Sequence, residues 1–285
     1  MYHYLRHHPE VAMSMRKEPH YFSSDLEDPE FVTGLDKYLA LFSQAADEAV
    51  VGEGSVWYMF SSVAAERLRD FNRDARMIAI LRDPIEAVPS IFWHHVYTGF
   101  QANDDFEAVY LSRRDQNGIS QPQGRPDSFR QVLDYSRVAR YGDQLERFYR
   151  QFPREQMYVL LLEDMKTDPV TVYKAVTEFL EIDPGYMPEF ARHNVQRRFR
   201  SRALAQSMWR AQAATARSSV PQGMLARNLR RIQTRSVRLL SGLNSEPFRR
   251  PELSPRMRAM MISDYRSDVA KLSELIGRDL SNWLA

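Results

Sequence analysis

Two short stretches of the chain hold residue types whose spacing could support chemistry. In Met13 to Ser23, MSMRKEPHYFS, Lys17, Glu18 and His20 fall within four positions. Pro19 interrupts them, which bars a helix and predicts an extended backbone. Side chains alternate along an extended chain, so Glu18 and His20 are expected on one side. A carboxylate and an imidazole sharing a cleft could act as a general base and its partner. The alternative is a surface loop of solvated charges.

The second stretch runs from Ala75 to Thr98, ARMIAILRDPIEAVPSIFWHHVYT. The apolar run Met77 to Leu81 predicts a strand buried on both faces, with Arg82 at its end. Asp83-Pro84 supplies an N-cap residue and a proline at the first helical position, so a helix is expected there. Ser90 then lies about two turns in. In open α/β sheets ligands sit beyond the carboxyl ends of the strands. An arginine at that edge and a hydroxyl on the next helix could grip a phosphate, because the guanidinium fork matches its oxygens bidentately. Equally, Arg82 could pair with Asp83 while Ser90 caps or faces solvent.

The elements that must position these residues alternate in the manner of an α/β fold. A helix is expected at Tyr2 to His8, with Tyr4 and Leu5 inward. Another is expected over Pro29 to Phe42, its inner face made by Phe31, Leu35, Leu39 and Phe42. Two glycines precede a short aromatic run, Val56 to Phe60, and Ala64 to Phe71 reads as a helix leading into the second stretch. After a helix at Phe106 to Arg113, the Gly-, Pro- and Gln-rich DQNGISQPQGRPD predicts a long surface loop. Ser128 to Gln151 reads as helical. Met157 to Leu162 is the clearest buried strand, with Glu163-Asp164 at its carboxyl end, and Asp168-Pro169 opens the next helix. Beyond Asp183-Pro184 no further strand is expected. The C-terminal helix, Pro255 to Ile276, is capped by Gly277 and followed by a tail that tucks Trp283 back. With no internal repeat, the 285 residues are expected to form one domain.

Composition narrows the function. The absence of cysteine excludes disulfides, thiolate catalysis and Cys-based zinc sites. No apolar run approaches the roughly 18 residues that span a bilayer. The first residues lack the apolar core of a signal peptide, so a cytoplasmic location is the expectation. Charge is unevenly spread: between Arg192 and Arg250 there are fourteen arginines, no lysine and one acid, Glu246. That segment carries +13 and, against a total of +2, leaves −11 for the rest. Such a block suggests an anionic partner.

Four stretches in a fixed order together resemble the sulfotransferases that use 3′-phosphoadenosine 5′-phosphosulfate (PAPS), in their carbohydrate and bacterial branches. They are YHYLRHHPEVAMSMRKEPHYF, RDPIEAVPSIFWH, YGDQLERFYRQFPREQMYVLLLEDMKTDP with the FLEID that follows, and the ending PELSPRMRAMMISDYRSDVAKLSELIGRDLSNWL. The resemblance implies a P-loop-NTPase-like parallel sheet flanked by helices, with a helical C-terminal part. It implies that Arg82 and Ser90 hold the 3′-phosphate of PAPS. It makes Glu18 the base that takes the acceptor proton, His20 its orienting partner, and Lys17 a balancing charge at the rim. No metal is implied.

Three departures from the family pattern stand out. The strand and phosphosulfate loop, K-[SA]-G-[ST]-[ST], would lie just before Met1, so the chain is expected to be N-terminally truncated and nearly inactive as it stands. Ser23 occupies a position where some glycan-modifying members carry an acid. Gly54 follows Glu53 where several relatives place a lysine. The expected activity is transfer of a sulfuryl group to a hydroxyl or amine of a glycan, lipid or small-molecule acceptor, with no nucleic-acid partner. The competing reading is a non-catalytic anion-binding module that uses residues 192–250 on a membrane surface or nucleic acid. That segment lacks interleaved aromatics apart from Phe199 and Trp209. A P-loop kinase relative is disfavoured, since no Walker signature is present.

Overall fold

The computed structural model describes residues 1–26, 28, 30–98, 101, 103–114, 134–190, 197–201 and 244–285. They fall into two compact units: residues 1–89, 107–191 and 253–285 form the first, and residues 90–106 and 192–252 the second.

The first unit is built on two parallel strand pairs. β1 (Val11–Met13) pairs with β2 (Val50–Gly52), and β3 (Met77–Leu81) pairs with β4 (Met157–Leu161) in the register Met77 to Met157 through Leu81 to Leu161. Parallel pairing needs long crossovers, and the helices supply them. Helix α1 (Tyr2–Leu5) precedes β1, and α2 (Leu35–Leu39) and α3 (Ala64–Phe71) flank β2. Helix α4 (Pro84–Thr98) leaves β3, its first turn capped by Asp83, whose Oδ1 accepts from the Ile85 N–H at 2.8 Å. Helices α5 (Phe106–Arg114) and α6 (Tyr141–Tyr149) lead to β4, which runs directly into α7 (Leu162–Thr167). Helix α8 (Pro169–Leu180) starts at Asp168, whose side chain accepts from Thr171 N–H at 3.0 Å. The family-like parallel α/β expectation is therefore met.

One apolar core joins Leu5, Val11 and Met13 to Leu160, Tyr173, Val176, Leu180 and Ile182. A second gathers Phe22, Val32, Tyr38 and Ala64, with Tyr21, Leu41, Phe42 and Tyr58 against them. Helix α9 (Pro255–Ile276) packs on α6 and buries Met257, Met261, Tyr265, Val269 and Leu272. The approach is close: a Cβ on Gly142 would stand 2.6 Å from the Asp268 carbonyl. Asp268 is buried there, and its carboxylate accepts from the N–H groups of Gly142 and Asp143, both at 3.0 Å. The tail after Gly277 returns Trp283 to the core, as expected.

The second unit contains an antiparallel pair, β5 (Arg197–Phe199) and β6 (Ser245–Pro247). Asn244 tightens it, its Oδ1 accepting from Ser201 N–H and its Nδ2 donating to Ser201 O, each at 2.9 Å. Aromatic contacts tie the pair to the later turns of α4: Tyr97 stacks on Phe199 at 4.3 Å and Trp93 meets Phe248 at 4.9 Å.

Several local expectations are corrected. Strands do continue beyond Pro184, because β5 and β6 find each other across 45 intervening residues, a pairing no local pattern announces. The Ala79/Leu81 face of β3 is buried but Ile80 is 40% exposed, so the strand is not covered on both faces. Leu35 and Leu39 are exposed, and Tyr38 is the buried residue of α2. Tyr38 stacks on Tyr21 at 4.5 Å and meets Phe22, Phe42 and Phe71 edge-on, burial that five residues of helix could not give to two leucines as well. A strand that the sequence reading did not single out forms at Val50–Gly52, before the aromatic run. Helix α1 ends at Leu5 rather than His8, and α6 starts at Tyr141, where Asp268 accepts from the N–H groups of Gly142 and Asp143; residues 135–139 are turns. The long loop around Gly118 and the expected helix at Met224 to Leu240 lie outside the described residues.

Candidate active site

The candidate residues lie beyond the carboxyl ends of both strand pairs, the edge where α/β sheets keep ligands. After β1 comes the segment carrying Lys17, Glu18 and His20; after β2 come Glu53, Ser55 and Tyr58. After β3 comes Arg82, and after β4 comes Glu163.

The first of these segments is not extended. Glu18 has φ 60° and His20 has φ 53°, both left-handed and flanking Pro19. A non-glycine residue in that region costs about 1–2 kcal/mol. Four hydrogen bonds hold the turn: Glu18 N–H to Gly54 O at 2.9 Å, His20 N–H to Ser55 Oγ at 3.0 Å, Val32 N–H to Pro19 O at 2.8 Å and Ser23 N–H to His20 O at 3.1 Å. At about 0.5–1.5 kcal/mol net each, such bonds offset the strain. The two side chains do meet, through the turn rather than by strand alternation.

Glu18 stands between two cationic or proton-donating neighbours. Its Oε1 lies 3.0 Å from Lys17 Nζ, and its Oε2 lies 3.6 Å from His20 Nε2. Burial raises the Glu18 pKa, but the His20 imidazole and the Lys17 ammonium beside it outweigh it and bring the carboxyl down to about 2. Exposure divides the roles: the Glu18 side chain is 34% exposed and reachable, whereas His20 is 5% exposed, packed against the Phe31 ring at 4.4 Å. His20 Nδ1 is buried without a hydrogen-bond partner. A proton on Nε2, facing the carboxylate, leaves Nδ1 a bare lone pair, which costs less than a buried unpaired N–H. This geometry suits a reachable carboxylate backed by an imidazole.

Behind the turn lies a second carboxylate that sequence reasoning passed over. Glu53 Oε2 accepts from Ser55 Oγ at 2.7 Å, and its Oε1 accepts from the Tyr58 hydroxyl. Burial raises the Glu53 pKa, the Tyr58, Ser55 and Tyr38 hydroxyls pull against that, and the Glu18 charge adds to it. Burial and the Glu53 charge in turn push the Tyr58 and Tyr38 phenols up. The signal in the sequence was a lone glutamate set against the aromatic run Val56 to Phe60.

At the other edge, the Arg82 Nη2 lies 3.9 Å from Glu86 Oε2, beyond hydrogen-bond range, which leaves donors for an anion. Asp83 N–H reaches Glu163 Oε1 at 3.4 Å, and burial raises the Asp83 pKa. Asp164 is engaged elsewhere, bidentate with Arg278 and anchoring the chain end. Ser90 lies on α4 in the second unit and Arg82 in the first; their pairing rests on the eight-residue spacing. His94 and His95 are helix residues of α4, and His95 is buried. Residues 202–243 of the Arg-rich segment lie outside the described residues; of the arginines that follow, Arg249 pairs with Glu252 at 3.4 Å.

The profile of the sulfotransferase domain family matches residues 63–224, more than half of the chain and a range that includes Arg82 and Ser90. The chain belongs to this family. Human heparan sulfate glucosamine 3-O-sulfotransferase 3B1 is 26% identical over 179 residues, which cover 62% of this chain and 41% of that protein. The human bifunctional heparan sulfate N-deacetylase/N-sulfotransferase 3 is 27% identical over 156 residues, 54% of this chain and 17% of that protein. The chain thus spans less than half the length of these relatives. Among solved structures, a sulfotransferase from Alicyclobacillus acidocaldarius superposes with a TM-score of 0.68 over 99% of this chain and 92% of the other, at 23% identity, a likeness of fold. Among the described residues, no helix of this sulfotransferase-family chain is long and apolar enough to cross a membrane.

Proposed function

We propose that this chain transfers a sulfuryl group from PAPS to a hydroxyl or amine, with Glu18 as the general base. The observation that carries this reading is the Lys17–Glu18–His20 arrangement: a reachable carboxylate, held ionised, in a strained turn at a strand edge. Strain of this kind persists where the surroundings over-determine it, and it clusters at active sites. PAPS supplies the activated sulfuryl group. Arg82 is the residue proposed to hold its 3′-phosphate, its Nη2 standing 3.9 Å from Glu86 Oε2; Ser90 is proposed as its companion on the sequence spacing alone.

Glu18 would receive the acceptor proton as the acceptor oxygen or nitrogen bonds to sulfur and the sulfur–oxygen bond to the 5′-phosphate breaks, releasing adenosine 3′,5′-bisphosphate. A base held at about 2 is always ionised near neutrality but a weak proton acceptor. Lys17 is the adjustable partner: a 41%-exposed ammonium that turns from Glu18 toward the transferring group strengthens the base and meets developing negative charge in one movement. The acceptor is proposed to be a glycan, in keeping with the heparan sulfate named in the relatives, with lipid and small-molecule alcohols as the other classes.

The test is calorimetric binding of adenosine 3′,5′-bisphosphate, followed by radiolabelled sulfate transfer from PAPS to heparan fragments, a lipid alcohol and a phenol. Binding that exceeds that of adenosine 5′-phosphate at least tenfold and disappears with Arg82→Ala supports the reading. Equal binding of both nucleotides by both proteins overturns it.

A further inference from the structure

We propose that Ser55, aimed by Glu53 and Tyr58, is the positioning residue that holds the Glu18–His20 pair in register. This inference rests on the functional reading of Glu18 and His20 above.

His20 must keep a left-handed φ of 53° for its imidazole to lie 3.6 Å from Glu18. Its N–H is held by a side chain, the Ser55 hydroxyl, at 3.0 Å. A serine hydroxyl rotates, so it fixes nothing unless its own proton has a partner. Glu53 Oε2 is that partner at 2.7 Å, which turns the Ser55 lone pairs toward His20. The Tyr58 hydroxyl occupies the other Glu53 oxygen, and Tyr38 adds a further hydroxyl contact. The chain of donors therefore runs one way: Tyr58 to Glu53, Ser55 to Glu53, and His20 N–H to Ser55.

Burial gives the arrangement its stiffness. Tyr38 belongs to the second apolar core and Tyr58 packs against it, so Glu53 is aimed by groups that cannot drift. The neighbouring peptide is pinned from the same segment, Glu18 N–H to Gly54 O at 2.9 Å. One short stretch after β2 thus fixes both left-handed residues. The titratable or charged groups facing the pair are Lys17 on its own segment, Glu53 and Tyr58 after β2, and Tyr38 from α2.

The test compares Ser55→Ala, Ser55→Thr and Tyr58→Phe with wild type, using two readouts. Proton–nitrogen NMR follows the His20 imidazole, assigned by its disappearance in His20→Gln, together with the carbon-detected titration of Glu18. Sulfate transfer gives kcat and KM separately. The expected result for Ser55→Ala is an upward move of the Glu18 titration from about 2 toward the ordinary glutamate range, a shifted His20 signal, and kcat lowered about 10- to 100-fold with KM nearly unchanged. Ser55→Thr keeps the hydroxyl and restores both readouts, and Tyr58→Phe shows a smaller change of the same sign. If Ser55→Ala does not fold, Tyr58→Phe carries the test. Unaltered His20 and Glu18 signals in the folded variants overturn the proposal, whether or not transfer is detected. Altered signals combined with full transfer by Glu18→Gln uphold the positioning role and overturn the catalytic reading instead.

Discussion

Beyond the carboxyl end of β3, Arg82 is followed at once by a helix whose first turn its neighbour Asp83 caps. Beyond the carboxyl end of β1, six residues pass before His20, and both Glu18 and His20 are left-handed. The first edge obeys local rules: strand, arginine, cap, proline, helix. The second is held by bonds from segments 13 to 36 residues away, among them Ser55, Gly54 and Val32. The edge proposed to bind a phosphate needs a charge at a predictable place, which local rules supply. The edge proposed to move a proton needs two side chains at a set distance, and that takes tertiary support. The comparison yields experiments in which the two edges should fail differently.

The largest effect is expected from Glu18→Gln, which removes the proposed proton acceptor. Sulfate transfer should fall about 10²- to 10⁴-fold, the usual contribution of a positioned base, while calorimetry shows unchanged affinity for adenosine 3′,5′-bisphosphate. Loss of nucleotide affinity in this variant would break the division between the edges.

Arg82→Ala should do the reverse. Losing charge-assisted bonds worth about 1.5–3 kcal/mol lowers affinity for adenosine 3′,5′-bisphosphate about 10- to 100-fold, with adenosine 5′-phosphate bound as before. The Glu18 titration should stay at about 2.

Acid should distinguish the edges next. The folded Glu18 pKa is depressed, so its contribution to stability is fully present above the unfolded value, near 4.3, and is lost as pH falls toward about 2. Lys17→Ala should raise the folded value and flatten that loss. Urea unfolding midpoints measured between about pH 5 and pH 2.5 check this. A steeper loss in Lys17→Ala would show that the lysine does not hold Glu18 down.

The smallest effect is expected from Asp83→Ala, which removes the cap on Ile85 N–H. A stability loss of about 1 kcal/mol in urea unfolding is the ordinary price of such a cap. The Glu18 and His20 NMR signals should not move.

The residues themselves announced much of this architecture. Ala64–Phe71, Met77–Leu81 and Pro255–Ile276 form helix, strand and helix within those same bounds, and Asp168-Pro169 opens α8 with the cap its residue types suggest. Each is a run in which pattern and punctuation agree. The reading failed where a distant segment intervened. Leu35 and Leu39 have helical spacing yet lie exposed, because Tyr38 takes the buried place among Tyr21, Phe22 and Phe71. Helix α6 starts later than its pattern suggests, where Asp268 on α9 accepts from the N–H groups of Gly142 and Asp143.

By itself, then, the sequence determined where the candidate groups lie along the chain: Lys17, Glu18 and His20 in one stretch, Arg82 and Ser90 flanking a strand-to-helix turn. These follow from residue types and short spacings, which act within a few residues. Only the tertiary structure decided how Glu18 meets His20. A left-handed turn is unfavourable taken alone, and no local pattern proposes it. It exists because Ser55, Gly54 and Val32 reach it from elsewhere in the fold and hydrogen-bond its backbone.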